Sequence, residues 1–237
     1  MKPLHAIAVS LSFAAWLAGP PAAAATLDVA PVSHELTAAR PALGMTVTNR
    51  GDAPVTLQVR GFAWDQDSGE DRLTPAAEVI VSPPIFSIAP GQSQVLRALV
   101  QGPGPERERS YRLLIDELPA EGERSAVRMA LRLSVPVFVK PAAEPQPARL
   151  DWALAADGRS IRVANAGGSR QRVHRLELLR ADGQRLAASS SGPYVLAGAQ
   201  RRWTLDEDVR SLKPGETLRV SALTDAGRIE VPLVVAP

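Results

Sequence analysis

Short runs in which apolar and polar residues alternate are the feature that most constrains the fold of this 237-residue chain. A period of two gives a β-strand one buried side and one solvated side, whereas an amphipathic helix needs a period near 3.6. The runs at 45–49, 55–59 and 127–139 alternate in this way. The first two flank a turn at 49–52, which predicts a β-hairpin. Long helical periods are missing, and this excludes a parallel α/β fold.

A proline-rich stretch at 141–147 divides the alternating runs into two groups. It holds three prolines in seven residues, a composition that favours extended, semi-rigid backbone. The β-rich segments on either side, of about 115 and about 90 residues, fit two immunoglobulin-type sandwiches better than one barrel. We therefore expect an all-β chain with an N-terminal domain at 26–141, a linker at 142–147 and a C-terminal domain at 148–237.

The N-terminus has the pattern of a secretory signal peptide. Lys2 precedes an apolar stretch at 6–18, and the small residues Ala23 and Ala25 place cleavage after residue 25. The apolar stretch is too short to cross ~30 Å of hydrocarbon. Because no later segment approaches ~20 apolar residues, we expect secretion and no transmembrane segment in the mature chain.

Composition excludes several classes of function. The net charge of +2 is a small surplus among scattered charges, so no nucleic-acid partner is expected. The chain has no cysteine, which excludes disulfides, thiolate metal sites and thiol nucleophiles. His34 and His174 are the only histidines after residue 25, and neither lies in a catalytic or metal motif. We expect a protein that is not an enzyme and that needs no cofactor or metal.

Three segments of the first domain, in order and spacing, resemble the periplasmic pilus-assembly chaperones of the PapD type. Residues 82–97 resemble the family's double-proline loop with its proline-glycine turn, 108–119 resemble strand F, and 131–141 resemble strand G with its exit into domain two. Residues 161–165 and 223–227 fit the second domain. The sequence valine, proline, valine, phenylalanine in strand G, at 135–138, and the lack of cysteine favour the archaic or spore-coat-like branch of the family.

This resemblance implies two immunoglobulin-like sandwiches arranged as a boomerang with a cleft between them. It also implies a periplasmic chaperone that binds pilus (fimbrial) subunits and delivers them to the outer-membrane usher. Fold alone does not determine function, however. A secreted structural or adhesive protein built from the same sandwiches therefore stays open as the alternative.

In the family, strand G donates its alternating apolar side chains to a subunit that lacks one strand, a form of β-augmentation. The matching positions here share one parity of the run: Val127, Met129, Leu131 and Leu133. We expect a chaperone to keep this strand paired in its own domain while that parity faces outward. A pilin or adhesin would bury it.

The family also anchors the subunit's terminal carboxylate with an arginine on the first strand and a lysine on strand G. Ser33 and Pro136 occupy those positions here, so the expected cations are absent. Arg132 shares the parity of Pro136, and Arg112 lies on the neighbouring strand, so either could supply a displaced anchor. The alternative is that both are ordinary arginines on a solvated face of the sheet. A slip of one residue would bring His34 to the first position, but it would also exchange the faces of the strand.

The resemblance further suggests an ion cluster between the two domains. A glutamate of strand F, a basic residue that closes strand G and an aspartate at the last turn of domain two form it in the family. The matching residues are Glu108, Lys140 and Asp225. Such a cluster would fix the angle between the domains, and its alternative is three unrelated surface charges.

Overall fold

The structure, a computed structural model, describes residues 26–67, 69–119, 130–189 and 194–235. The predicted signal peptide at 1–25, and Val127 and Met129 of the predicted donor strand, lie outside these ranges. Within the ranges the chain forms β-strands and no helix, so the all-β prediction is confirmed. Accordingly, the described residues contain no helix that is long and apolar enough to cross a membrane.

The described residues of the first domain form ten strands: β1 (Leu27–Ala30), β2 (His34–Thr37), β3 (Ala42–Asn49), β4 (Val55–Asp65), β5 (Arg72–Pro75), β6 (Val79–Ser82), β7 (Ile85–Ile88), β8 (Ser93–Val100), β9 (Arg109–Leu118) and β10 (Arg132–Lys140). One sheet has the order β1-β3-β8-β6. The other has the order β2-β10-β9-β4-β5, with β7 also paired to β4. Because β1 and β2 lie in opposite sheets, the start of the chain closes both sides of the sandwich. The pairing of β2 with β10 is parallel, and β10 therefore has a neighbour on each side.

The hairpin predicted for the first two alternating runs is wrong. β3 lies in the four-stranded sheet, whereas β4 lies in the opposite sheet and pairs with β9. Both runs alternate because each strand covers the same core from one side. A period of two reports which side of a strand is buried but not which strand lies beside it.

In the part of the second domain that the structure describes, the chain forms eight strands: β11 (Leu150–Leu154), β12 (Ser160–Asn165), β13 (Gln171–Arg180), β14 (Arg185–Ser189), β15 (Tyr194–Val195), β16 (Gln200–Thr204), β17 (Thr217–Thr224) and β18 (Gly227–Val234). One sheet has the order β11-β12-β16. The other has the order β14-β13-β17-β18, with β15 paired to β13. This is a second sandwich, so the prediction of two immunoglobulin-like domains is confirmed.

The apolar side chains of the described residues form three clusters. The first core fills the first sandwich, and its fully buried members include Val47, Leu57, Leu96 and Leu113. The second core fills the second sandwich around buried residues such as Ile161. A third cluster, named here the junction cluster, joins the domains and consists of Trp64, Phe138 and Leu196, with Tyr194 and Ala199 packed against them.

The stretch between the sandwiches is attached to the second domain over part of its length. The Gly168 amide donates a hydrogen bond to the Gln146 carbonyl at 3.1 Å, and the Ala166 amide donates one to the Arg149 carbonyl at 2.9 Å. A Cβ atom on Gly167 would lie 2.1 Å from the carbonyl oxygen of Pro147. Only glycine therefore allows this close approach of two backbone segments.

Gly61 allows a similar approach inside the first sandwich. An alanine Cβ at this position of β4 would lie 2.4 Å from Val79 Cγ1. We expect Gly61→Ala to lower the free energy of unfolding by about 1–3 kcal/mol, because a packed core resists an added methyl group. Chemical denaturation measures this value. Gly44→Ala is the matched control, since nothing lies within 4 Å of its Cβ, and equal stability of the two variants would contradict the prediction.

Candidate functional site

Side chains of three neighbouring strands form a polar and apolar surface on the outer side of the first domain's larger sheet. The strand register places Arg112 of β9 directly opposite Phe62 of β4 on one side and Pro136 of β10 on the other. Arg112 therefore lies beside one of the two positions where the sequence comparison expected a cation. We call this surface the outer face; its residues are Arg60, Phe62, Trp64, Arg112, Leu114, Asp116, Arg132, Ser134, Pro136 and Phe138.

Arg112 is held against an aromatic ring, and its nearest acidic influence among the described residues is the charge of Asp71, with which it makes no ion pair. Its guanidinium carbon lies 3.6 Å from the centroid of the Trp64 ring. Within the described part of the chain its side chain makes no ion pair and no hydrogen bond to another residue. Burial lowers the pKa of Arg112, which nevertheless stays charged, because the pKa of an arginine lies far above neutral pH. Its hydrogen-bond donors are thus free for an anion.

A second arginine approaches this site from the second domain. Arg201 Nη1 lies 2.5 Å from Asp71 Oδ1, at an angle unsuited to a hydrogen bond, so the contact is an ion pair. The buried Nε of Arg201 has no hydrogen-bond partner among the described residues. Asp71 also accepts a hydrogen bond from Trp64 Nε1 at 2.7 Å, and Arg112 stacks on that same indole ring. Both arginines therefore lie near the carboxylate of Asp71. Two cations and one carboxylate leave a net positive charge there.

Arg132 is in a different situation from Arg112. It is exposed and donates to Asp116, which also accepts a hydrogen bond from Arg60 at 2.7 Å. Burial alone would raise the pKa of Asp116, but the hydrogen bonds from Arg132 and Arg60 lower it. The charge of Arg132 is therefore already balanced within its own sheet.

The remaining positions considered for an anchor supply no cation. Ser33 is exposed and Pro136 is buried. His34 is buried on the same side of β2 as Leu36, a member of the first core. Burial lowers the pKa of His34, which favours the neutral ring near pH 7. Of the residues considered from sequence, Arg112 alone brings an unbalanced charge to the outer face.

The expectation that the odd parity of strand G faces outward is wrong at Leu133. This side chain is half-buried and packs against the first core, in line with Val135, Val137 and Val139. The reason is that β10 is an interior strand, so its inner side must cover the sandwich core. Leu131, just before β10, is half-buried and is not among the side chains that pack on that core. Its amide and carbonyl bond to Glu117 of β9.

The predicted ion cluster is only partly correct. Lys140 Nζ lies 2.5 Å from Glu35, and Arg170 lies 2.5 Å from both Glu35 and Glu108. Glu108 and Lys140 thus belong to one network, but two residues that the sequence did not suggest connect them. Asp225 lies outside this network: it pairs with His174 at 2.6 Å, and the described residues give it no ion pair with Glu108 or Lys140.

Glu108 is the most deeply buried member of the network and therefore most needs a counter-ion. Its side chain is 1% exposed, and burial raises its pKa, while Arg170 of the second domain opposes that rise. The hydrogen bond from Lys140 lowers the pKa of Glu35, and Arg170 adds to this effect. Arg170 also stacks on Phe138 of the junction cluster, with 3.6 Å between the guanidinium carbon and the ring centroid. One arginine therefore joins the ion network to the aromatic cluster.

The first domain matches a known protein family. Residues 27–145 match the family model of the pili and flagellar-assembly chaperone, PapD N-terminal domain. The chain belongs to this family of PapD-type pilus-assembly chaperones. The chaperone prediction is thereby confirmed, and the alternative of a structural or adhesive protein is not supported. Among curated protein sequences, none matches the chain.

Several solved structures of such chaperones share the two-domain fold. The CsuC–CsuE chaperone–tip adhesion subunit pre-assembly complex of archaic Csu pili from Acinetobacter baumannii matches with a TM-score of 0.66 and 21% identity, covering 90% of this chain and 100% of that chain. The E. coli chaperone DraB gives a TM-score of 0.60 and 19% identity, covering 88% and 97%. The SafB chaperone of Salmonella enterica, solved with the SafA pilin, gives 0.58 and 17%, covering 89% and 96%.

Arg170→Met tests whether the buried pair joins the domains. At about pH 7.5 we expect the free energy of unfolding to fall by about 3–5 kcal/mol, because Glu108 would keep a buried charge without a partner. Without Arg170 the pKa of Glu108 rises further above its unfolded value, so stability is lost as pH rises through that window. The deficit should therefore shrink as the pH falls to about 5.

Chemical denaturation at several pH values measures both effects. Arg172→Met is the matched control, because Arg172 is exposed and makes no ion pair among the described residues. A deficit for Arg170→Met that is the same at all pH values, or equal to that of the control, would contradict a buried charge pair.

Proposed function

We propose that this chaperone captures a pilus subunit in the periplasm by donating the segment that leads into β10, and delivers the subunit to the outer-membrane usher. A subunit without one strand exposes an apolar groove and unpaired backbone groups, which invites aggregation. Strand donation covers both. Family membership is the observation that carries this proposal. The A. baumannii and S. enterica relatives, whose structures contain a subunit or a pilin, support it.

The donated side chains in this proposal are Val127, Met129 and Leu131. Leu133 is a boundary residue, because it packs on the chaperone's own core. Leu131 supports this division: its backbone is paired with Glu117, and its side chain is free of the core. A donor needs this combination, since its backbone must stay ordered while its side chains remain available.

Arg112 is the proposed anchor for the subunit's terminal carboxylate. It lies next to Pro136, where the family places a cation, and no described residue forms an ion pair with it. The guanidinium is immobilised on Trp64, which reduces the entropy lost on binding. Arg201 adds a second positive charge to the same neighbourhood. Arg132 is disfavoured as the anchor because its charge is already paired with that of Asp116.

The proposal includes a mature chain that begins after residue 25, a first domain at 26–141, a linker at 142–147 and a second domain at 148–237. The first and second cores fall within these bounds. Secretion of the full chain into a periplasmic extract and mass measurement of its N-terminus test the cleavage site.

The double variant Met129→Asp, Leu131→Asp tests strand donation. Each carboxylate would have to lose its water inside an apolar groove, at a cost of several kcal/mol or a shift in protonation. We expect subunit capture to be lost while the chaperone melts near its normal temperature. Co-purification of the subunit from periplasmic extract, with thermal melting of the free chaperone, measures both.

Ala130→Asp is the control, because it adds the same charge at a neighbouring exposed position of the opposite parity. If the double variant captures subunit as well as the wild type does at equal abundance, this segment is not the donor.

Arg112→Ala and Arg132→Ala form a matched pair for the anchor. Removal of Arg112 should weaken capture by about 2–5 kcal/mol, the range for a buried charged contact that loses one partner. Removal of Arg132 should leave capture unchanged. A subunit with an amidated C-terminus, made by peptide ligation, should bind equally to the wild type and to Arg112→Ala. The reverse ranking of the two variants would assign the anchor to Arg132.

A further inference from the structure

The turn that connects β4 to β5 reaches across to the second domain. Gln66, at the start of this turn, is completely buried although its side chain is polar. Its Nε2 donates to the Tyr194 carbonyl at 2.7 Å, and its Oε1 accepts from the Leu196 amide at 3.0 Å. One side chain of the first domain thus satisfies a donor and an acceptor of the second-domain backbone.

The backbone of the same turn adds further contacts. The Arg202 amide donates to the Gly69 carbonyl at 3.0 Å, and Gln200 Nε2 donates to the Asp67 carbonyl at 3.0 Å. Gly69 and Arg201 form a short parallel bridge. We call this set of contacts the clamp; its residues are Gln66, Asp67, Gly69 and Asp71 on the turn and Tyr194, Leu196, Gln200, Arg201 and Arg202 on the second domain.

The clamp is continuous with the proposed anchor. Asp71 Oδ1 accepts from Gln66 Nε2 at 2.8 Å and from Trp64 Nε1 at 2.7 Å, and it pairs with Arg201. These contacts fix the indole on which Arg112 stacks. A shift of the second domain against the turn would therefore also move Arg201 relative to Arg112.

The Gln66 contacts of the clamp and the ion network join the domains by different physics. The contacts of Gln66 with the second domain are hydrogen bonds from a buried side chain to neutral backbone groups, which salt does not screen. In the ion network, Glu35 and Lys140 are exposed over 46% and 40% of their side chains, so salt weakens their pairing, whereas it screens the buried pair of Glu108 with Arg170 much less. Salt therefore tests the exposed part of the ion network, and substitution of Gln66 tests the clamp.

We propose that Gln66 is the positioning residue that holds the two domains in one orientation and thereby keeps Arg112 and Arg201 aligned for the same ligand. A buried amide with both ends occupied tolerates no sliding, because each lost bond leaves a buried polar group unpaired. The orientation part of this inference is independent of what the protein binds. The part that concerns capture depends on the proposed function.

Spin labels on two introduced cysteines test the orientation, since the chain has none of its own. Val95 in β8 and Val234 in β18 are suitable because they are 44% and 62% exposed and lie one in each domain. We expect a narrow distance distribution in the parent chain, also at about 1 M NaCl, where the Debye length is ~3 Å. Gln66→Met keeps the volume but removes the hydrogen bonds, and it should broaden the distribution. Gln184→Ala, at an exposed position in the second domain, should not.

Subunit capture is measured on the same unlabelled variants, and we expect Gln66→Met to weaken it about tenfold through lost pre-organisation. Gln66→Asn, checked for normal melting, is the second variant if the methionine variant misfolds, and it should behave in the same way.

A narrow distribution in both variants, or broadening of the parent chain by salt alone, would overturn the clamp. A broad distribution with undiminished capture would overturn the positioning role. If the wild-type chain captures no subunit, the proposed function fails while the orientation result stands.

Discussion

A carboxylate that is removed from water needs a counter-ion, and Glu108 of the first domain receives its counter-ion from the second. The side chain of Glu108 is almost wholly buried, and Arg170 donates to it from across the junction. The first sandwich is therefore electrostatically incomplete without the second. Since the same guanidinium covers the face of Phe138, the charge pair and the aromatic junction cluster form one unit. The relative placement of the domains, and with it the outer face, depends on this unit together with the proposed clamp.

Arginines on aromatic rings recur along the junction. Arg112 lies on Trp64, Arg170 on Phe138, and Arg172 approaches Tyr194 with 5.4 Å between the guanidinium carbon and the ring centroid. A ring face attracts a cation without neutralising it. This difference separates Arg112 from Arg132, whose carboxylate partner satisfies it. The structure thus keeps one cation in place and still available, which a salt bridge could not do.

The sequence predicted the all-β class and the two sandwiches because alternation and turn spacing depend on local residue types. It could not predict which side of strand G faces the core, because a period of two is symmetric until the neighbouring strands are known. Glu35 and Arg170 were missed for a related reason: they lie 135 residues apart, and no motif links them. Gln66 gave no signal either, since a glutamine in a turn is ordinarily solvated. The sequence also assigned Asp225 to the ion cluster, whereas in the structure it pairs with His174 of its own domain.

The hydrogen bonds that tie Gln146 and Arg149 to the second domain shorten the connection between the two sandwiches. About five residues, from Pro141 to Pro145, remain as the tether, and an extended chain of that length spans no more than about 18 Å. The tether therefore keeps the interface surfaces at a high effective concentration even when the contacts between them are broken. Under this restriction an interface of a few buried polar contacts is sufficient. Opening is then an intramolecular equilibrium, so dilution of the protein does not shift it.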